Sequence, residues 1–127
     1  MEFFNEIERQ DTDLAKLKAL LQIASLPTLC ASINNVLTDN RDSGEIYCLW
    51  GQFSVSREEI RYGVRFALLN CPHALAWTIT CHQERNRLVL HCTIDDRETS
   101  EEFAESIEDF LVDWGAGLHK ALSDQVG

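Results

Sequence analysis

The sequence predicts an α+β protein: N-terminal helices, an antiparallel meander of four strands, and a long C-terminal amphipathic helix packed on the sheet. Three observations predict it. Apolar residues recur every three or four positions in the first forty residues, alternate between about 45 and 95, and return to helical spacing from Phe103 to Leu122.

Phe3, Phe4 and Ile7 sit at i, i+1 and i+4, which predicts a short helix over residues 2 to 9. Asp11 or Thr12 is suited to cap a second helix, with Leu14, Leu17, Leu20, Leu21 and Ala24 as its stripe. Pro27 ends that helix and opens a third, from about 27 to 38, carried by Leu29, Ile33, Val36 and Leu37. Asn34 and Asn35 disfavour a strand there. Residues 38 to 44 have the composition of a loop.

Residues 46 to 50 form a compact apolar strand, which Phe53 and Val55 continue after a bulge at Gly51. Residues 57 to 69 read as a strand with Tyr62, Val64, Phe66 and Leu68 on one face. A helix capped by Ser56 and Glu59 is the alternative, which Gly63 opposes by about 1 kcal/mol. After the turn at 70 to 73, residues 74 to 82 and 88 to 94 pair as a hairpin. Trp77, Ile79 and Cys81 should share a face with Leu90, Cys92 and Ile94. Thr99 with Glu102, or Ser100, caps the last helix. Its stripe is Phe103, Ile107, Phe110, Leu111, Trp114, Leu118 and Leu122, and a break is expected near Gly115.

The 127 residues suit a single domain, 1–127. With 45% apolar residues and six Phe, the chain can bury a core without staples. A net charge of −10 repels nucleic acid and anionic membrane surfaces and steers toward basic partners. No run approaches the length of a membrane span, and Met1 to Glu6 carry no leader pattern, so the expected location is cytoplasmic. Five cysteines are too many for pairs without a remainder and read as reduced thiols.

Cys71-Pro72-His73, Cys81-His82 and His91-Cys92 are the candidate metal or thiol chemistry. Neighbours on a strand point to opposite faces, so neither adjacent pair can share an ion. His82 and His91 would lie diagonally across the hairpin. Cys71 and His73 can meet in the turn, but no third group or oxyanion donor is identifiable. Arg57, Arg61 and Arg65 form a small basic group, suited to an acid or to the surplus carboxylates. No phosphate-binding glycine motif is present. No catalytic, cofactor or metal residue is assigned.

Ala67-Leu68-Leu69-Asn70, the hairpin residues 76–80 and 87–95, and the acidic helix from Ser100 resemble the C-terminal half of type III secretion chaperones and the related YbjN-like domains. The resemblance covers roughly residues 67 to 122. It implies a helix over 57 to 69, a small cytoplasmic dimer, and binding of an extended protein segment.

The function expected is a non-enzymatic, chaperone-like protein-binding module, acting as a homodimer on a protein partner. An open sheet edge or the N-terminal helix would be its surface. Phe3, Phe4 and Trp50 are candidate anchors. Glu101, Glu105 and Glu108 are the acidic contacts, because like charges at helical spacing are tolerated best beside a basic partner. The alternative is an acidic inhibitor or immunity-type protein that blocks a basic partner. A small thiol- or metal-dependent enzyme is the third reading.

Overall fold

The computed structural model describes residues 1–9, 13–95 and 99–126, the side chains of 124–126 excepted. Its elements are β1 (Glu2–Glu8), α1 (Leu14–Leu20), α2 (Leu26–Leu29), β2 (Ile33–Asp39), β3 (Ser43–Cys48), β4 (Gly51–Ile60), β5 (Gly63–Leu68), β6 (Ala76–His82), β7 (Arg87–Thr93) and α3 (Glu101–Val126). All strands join one antiparallel sheet of seven, in the order β1-β7-β6-β5-β4-β3-β2. The four-stranded meander and the N-terminal helical block are therefore both corrected.

Residues 2 to 8 form an edge strand, not a helix. A helix that short is marginal without packing, whereas pairing with β7 satisfies one side of the backbone. Phe3, Asn5 and Ile7 turn inward, and Glu2, Phe4, Glu6 and Glu8 turn outward. Of the expected caps, Asp11 and Thr12 lie outside the described residues. Asp13 caps α1, its carboxylate accepting from the Ala15 N–H at 2.8 Å.

The helix expected over 27 to 38 is only α2, and most of that span is β2. The pairing of β2 slips between Ile33 and Asn35 and again between Val36 and Thr38. Each bulge adds one residue to one strand. The spacing of inward residues then becomes three rather than two, which imitates a helix. Being an edge, β2 also tolerates Asn34 and Asn35 in exposed positions.

Gly51 is not a bulge. It follows the two-residue reversal Leu49-Trp50 that separates β3 from β4, at φ +118°. The strand reading of 57 to 69 holds in kind, but Arg61-Tyr62 reverse the chain, giving the β4–β5 hairpin in place of the helix the family resemblance implies. Tyr62 is thus exposed, while Val64, Phe66 and Leu68 are buried. Trp77 pairs with Cys92 and Ile79 with Leu90, the expected register.

α3 and the segment α1–α2 cover the inner face. Ser100 caps α3, accepting from the Phe103 N–H at 3.1 Å. The helix does not break at Gly115. Its glycines serve close approach instead: a Cβ on Gly117 would lie 1.9 Å from the Leu29 carbonyl oxygen, and one on Gly115 2.9 Å from Asn5 Nδ2. Trp77, Trp114, Phe66 and Phe110 fill the centre, with Phe66 and Trp77 stacked at 5.4 Å. Arg57 also points inward. Its guanidinium donates to the carbonyls of Leu21 (2.5 Å) and Lys18 (3.0 Å) at the end of α1, where the helix leaves acceptors unpaired. Arg61 lies over the Tyr62 ring and Arg65 faces outward, so the three arginines make no common anion site. Among the described residues no helix is long and apolar enough to cross a membrane.

Candidate functional site

Two concave regions collect most of the residues the sequence singled out. The first is a groove of about 460 Å³ between β1 and α3. Glu2, Phe3, Phe4 and Asn5 form one wall, and Glu108, Leu111 and Val112 the other. Asn5 ties the walls together, its Nδ2 donating to the Leu111 carbonyl at 3.1 Å. Two large apolar side chains stand in water here: Phe4 is 63% exposed and Val112 61%. Phe4 is not loose, for it stacks on His91 with centroids 4.4 Å apart, and His91 Nε2 lies 3.1 Å from Glu2.

The backbone of β1 has a defined polarity. The Met1 and Ile94 N–H groups each donate to the other residue's carbonyl, and Arg9 N–H donates to Asn86. In an antiparallel ladder such pairs alternate. Odd residues of β1 therefore bond to β7, and Glu2, Phe4, Glu6 and Glu8 direct their N–H and C=O to the open side.

Of the expected partner-binding residues, the groove unites Phe3, Phe4 and Glu108. Phe3 is half-buried against the core. Glu101 and Glu105 lie on the same helix, exposed, nearer its N-terminus. Trp50 lies elsewhere. Sequence reasoning missed Val112, although an apolar residue off the buried stripe of α3 is a readable signal.

The second region is a cleft of about 250 Å³ at the N-terminal end of α3, walled by Trp50, Phe53, Leu68, Leu75 and Phe103. Cys71 and His73 complete it. Trp50 is fixed by its Nε1–H donating to Ser106 Oγ at 3.0 Å, and that hydroxyl donates to the Phe103 carbonyl at 2.6 Å. His73 packs on Phe103 at 4.4 Å. The turn thus brings Cys71 and His73 to one cleft, as the sequence allowed, and among the described residues no carboxylate lines it.

The remaining Cys/His candidates separate. His91 stands opposite Thr78 and His82 opposite Arg87, so the two imidazoles are not diagonal neighbours. His82 Nε2 instead lies 3.1 Å from Thr80 Oγ1. Among the described residues no group of three potential ligands converges for a metal. Burial pushes the Cys30 and Cys92 thiols up to about 12 and raises Cys48 and Cys81, which disfavours the thiolate at all four.

No family model and no curated protein sequence matches the chain. Two solved structures share its fold. The protein XoxI from Bacillus cereus aligns with a TM-score of 0.70 at 16% identity, covering 99% of this chain and 98% of that one. An uncharacterized protein from Bacillus thuringiensis aligns at 0.67 and 17% identity, covering 95% and 98%. At such identities the likeness concerns the fold alone.

Proposed function

We propose that this protein is a binding module that takes up an extended segment of a basic protein partner by strand addition at β1. One observation supports it most: the open backbone edge of β1 lies beside a groove that exposes Phe4 and Val112 between carboxylates. Strand addition gains main-chain hydrogen bonds from such an edge and specificity from alternate side chains. Phe4, Val112 and the half-buried Phe3 supply apolar contact. Glu2 and Glu108 on the walls, with Glu105 above, favour Lys or Arg at the flanking positions.

A second copy is a poor occupant of this edge. Antiparallel self-pairing of β1 would set Glu2, Glu6 and Glu8 of two copies against one another, with Arg87 bonding Glu6 at 2.6 Å and Glu8 at 3.3 Å and His91 3.1 Å from Glu2. The homodimer expected from the sequence would need another surface. The acidic-inhibitor reading shares the same carboxylates but needs no strand edge.

The test is selection from a random peptide library on the immobilised protein. Sequences that alternate apolar residues with Lys or Arg are the expected winners. Phe4→Ala should weaken the best of them about tenfold, and Leu37→Asp on β2 should leave it unchanged. Winners that bind equally well to Phe4→Ala would remove β1 as the site. Basic winners without alternation, lost at high salt, would favour the inhibitor.

A further inference from the structure

The cleft at the N-terminal end of α3 is independent of β1, and its chemistry is different. Its walls are Trp50, Phe53 and Phe103 with two leucines, beside Cys71 and His73, and among the described residues no Asp, Glu, Lys or Arg lines it. A charged guest would lose its hydration there without a counter-charge. Trp50 and Phe103 meet edge to face at 6.0 Å and 68°, and the bond to Ser106 holds the indole in that pose. Rings so arranged receive a further ring by offset or edge contact. Size narrows the guest further. An apolar cavity of about 150 Å³ holds benzene, and this one measures about 250 Å³.

We propose that this cleft is a binding site for a neutral, planar aromatic molecule of one or two rings, with an indole-sized bicycle as the best fit. The ring lies against the Trp50–Phe103 pair and covers Cys71, which lines the same cleft. Cys71 is the half-exposed thiol; Cys30, Cys48, Cys81 and Cys92 are buried. Alkylation of the native protein therefore reports on Cys71, since burial holds the other four thiols in the unreactive form.

The experiment follows Cys71 modification by iodoacetamide, read by mass spectrometry, as indole is titrated into the full-length protein. Saturable slowing of at least about fivefold is expected, with no comparable effect of cyclohexanol, which lacks the ring face. Phe103→Leu keeps an apolar wall but removes the ring, and should raise the indole concentration for half protection about fivefold. Shifts of the Trp50 indole N–H resonance on adding indole check occupancy without the thiol. Absence of saturable protection and of such shifts would overturn the proposal. So would equal protection by cyclohexanol, or unchanged indole affinity in Phe103→Leu.

Discussion

The two edges of the sheet are both seven-residue strands, yet they differ in what they offer. β1 pairs with β7 in unbroken register over its whole length, so its free side is a regular row of donors and acceptors. β2 slips twice against β3, leaving Asn34 and Leu37 outside the ladder. Bulges twist an edge away from further pairing, which is a common protection. An exposed apolar residue therefore means different things on the two strands. Leu37 on β2 decorates a blocked edge, and Phe4 on β1 sits beside an open one.

The strongest way to break this comparison is through α3, whose two glycines serve opposite edges. Gly117→Ala would drive a Cβ into the rigid Leu29 carbonyl beside β2, and should cost about 3 kcal/mol in urea unfolding. Gly115→Ala meets only the side-chain amide of Asn5 beneath β1. Better helix propensity offsets most of that, so a change within about 1 kcal/mol is expected. Equal costs would mean that the edges are seated equally tightly. The next test separates the two sides of β1. Asn5→Pro removes an N–H that bonds to β7 as well as the side-chain bond to Leu111, and should cost about 2–3 kcal/mol. Glu6→Pro removes an N–H on the open side, and should cost about 1 kcal/mol or less while abolishing peptide binding. Comparable losses of stability would refute the assigned polarity.

A pH-dependent effect concerns one thiol beneath each edge. Cys92 lies opposite Phe3, and Cys30 lies just before β2, its Sγ 3.7 Å from the Phe110 carbonyl. Burial pushes both thiols up from 9.0 to about 12 in the folded protein. The raised value favours the protonated, folded form. Stability from these groups is complete below pH 9 and declines as pH rises toward 12. Chemical denaturation across that range should show the decline, and a Cys30→Ala/Cys92→Ala variant should show less of it. An unaltered slope would mean that other groups set the alkaline limit.

The parts legible in the sequence are those where one periodicity runs unbroken. β6 and β7 alternate cleanly, and α3 keeps its stripe from Ile107 to Leu122. The misread parts share a physical cause. Bulges turned the period of β2 from two to three, and the inward polar Asn5, matched to Gly115, hid the alternation of β1. The Arg61-Tyr62 reversal lacks any Gly or Pro of its own, so one strand was seen where there are two. Phe3, Phe4 and Glu108 stand out by their chemistry and do meet in one groove, though Phe3 and Phe4 lie on a strand rather than a helix. The cleft of Trp50, Cys71, His73 and Phe103 unites three segments, a juxtaposition that no local pattern encodes.

The pairing of β1 with β7 has a consequence for the order of folding. The Met1 amine bonds to the Ile94 carbonyl, 93 residues along the chain. During synthesis the first strand made has no neighbour until the last strand has emerged, and closing so long a loop is slow. β1 is therefore the last strand to join the sheet, and it does so against a nearly finished scaffold. The contacts that seat it include the ladder, the Asn5 amide, the stack of Phe4 on His91, the packing of Phe3 and Ile7 against the core and the two Arg87 bridges. The segment that carries the proposed binding edge is thus held in the sheet by the strand pairing of longest sequence separation.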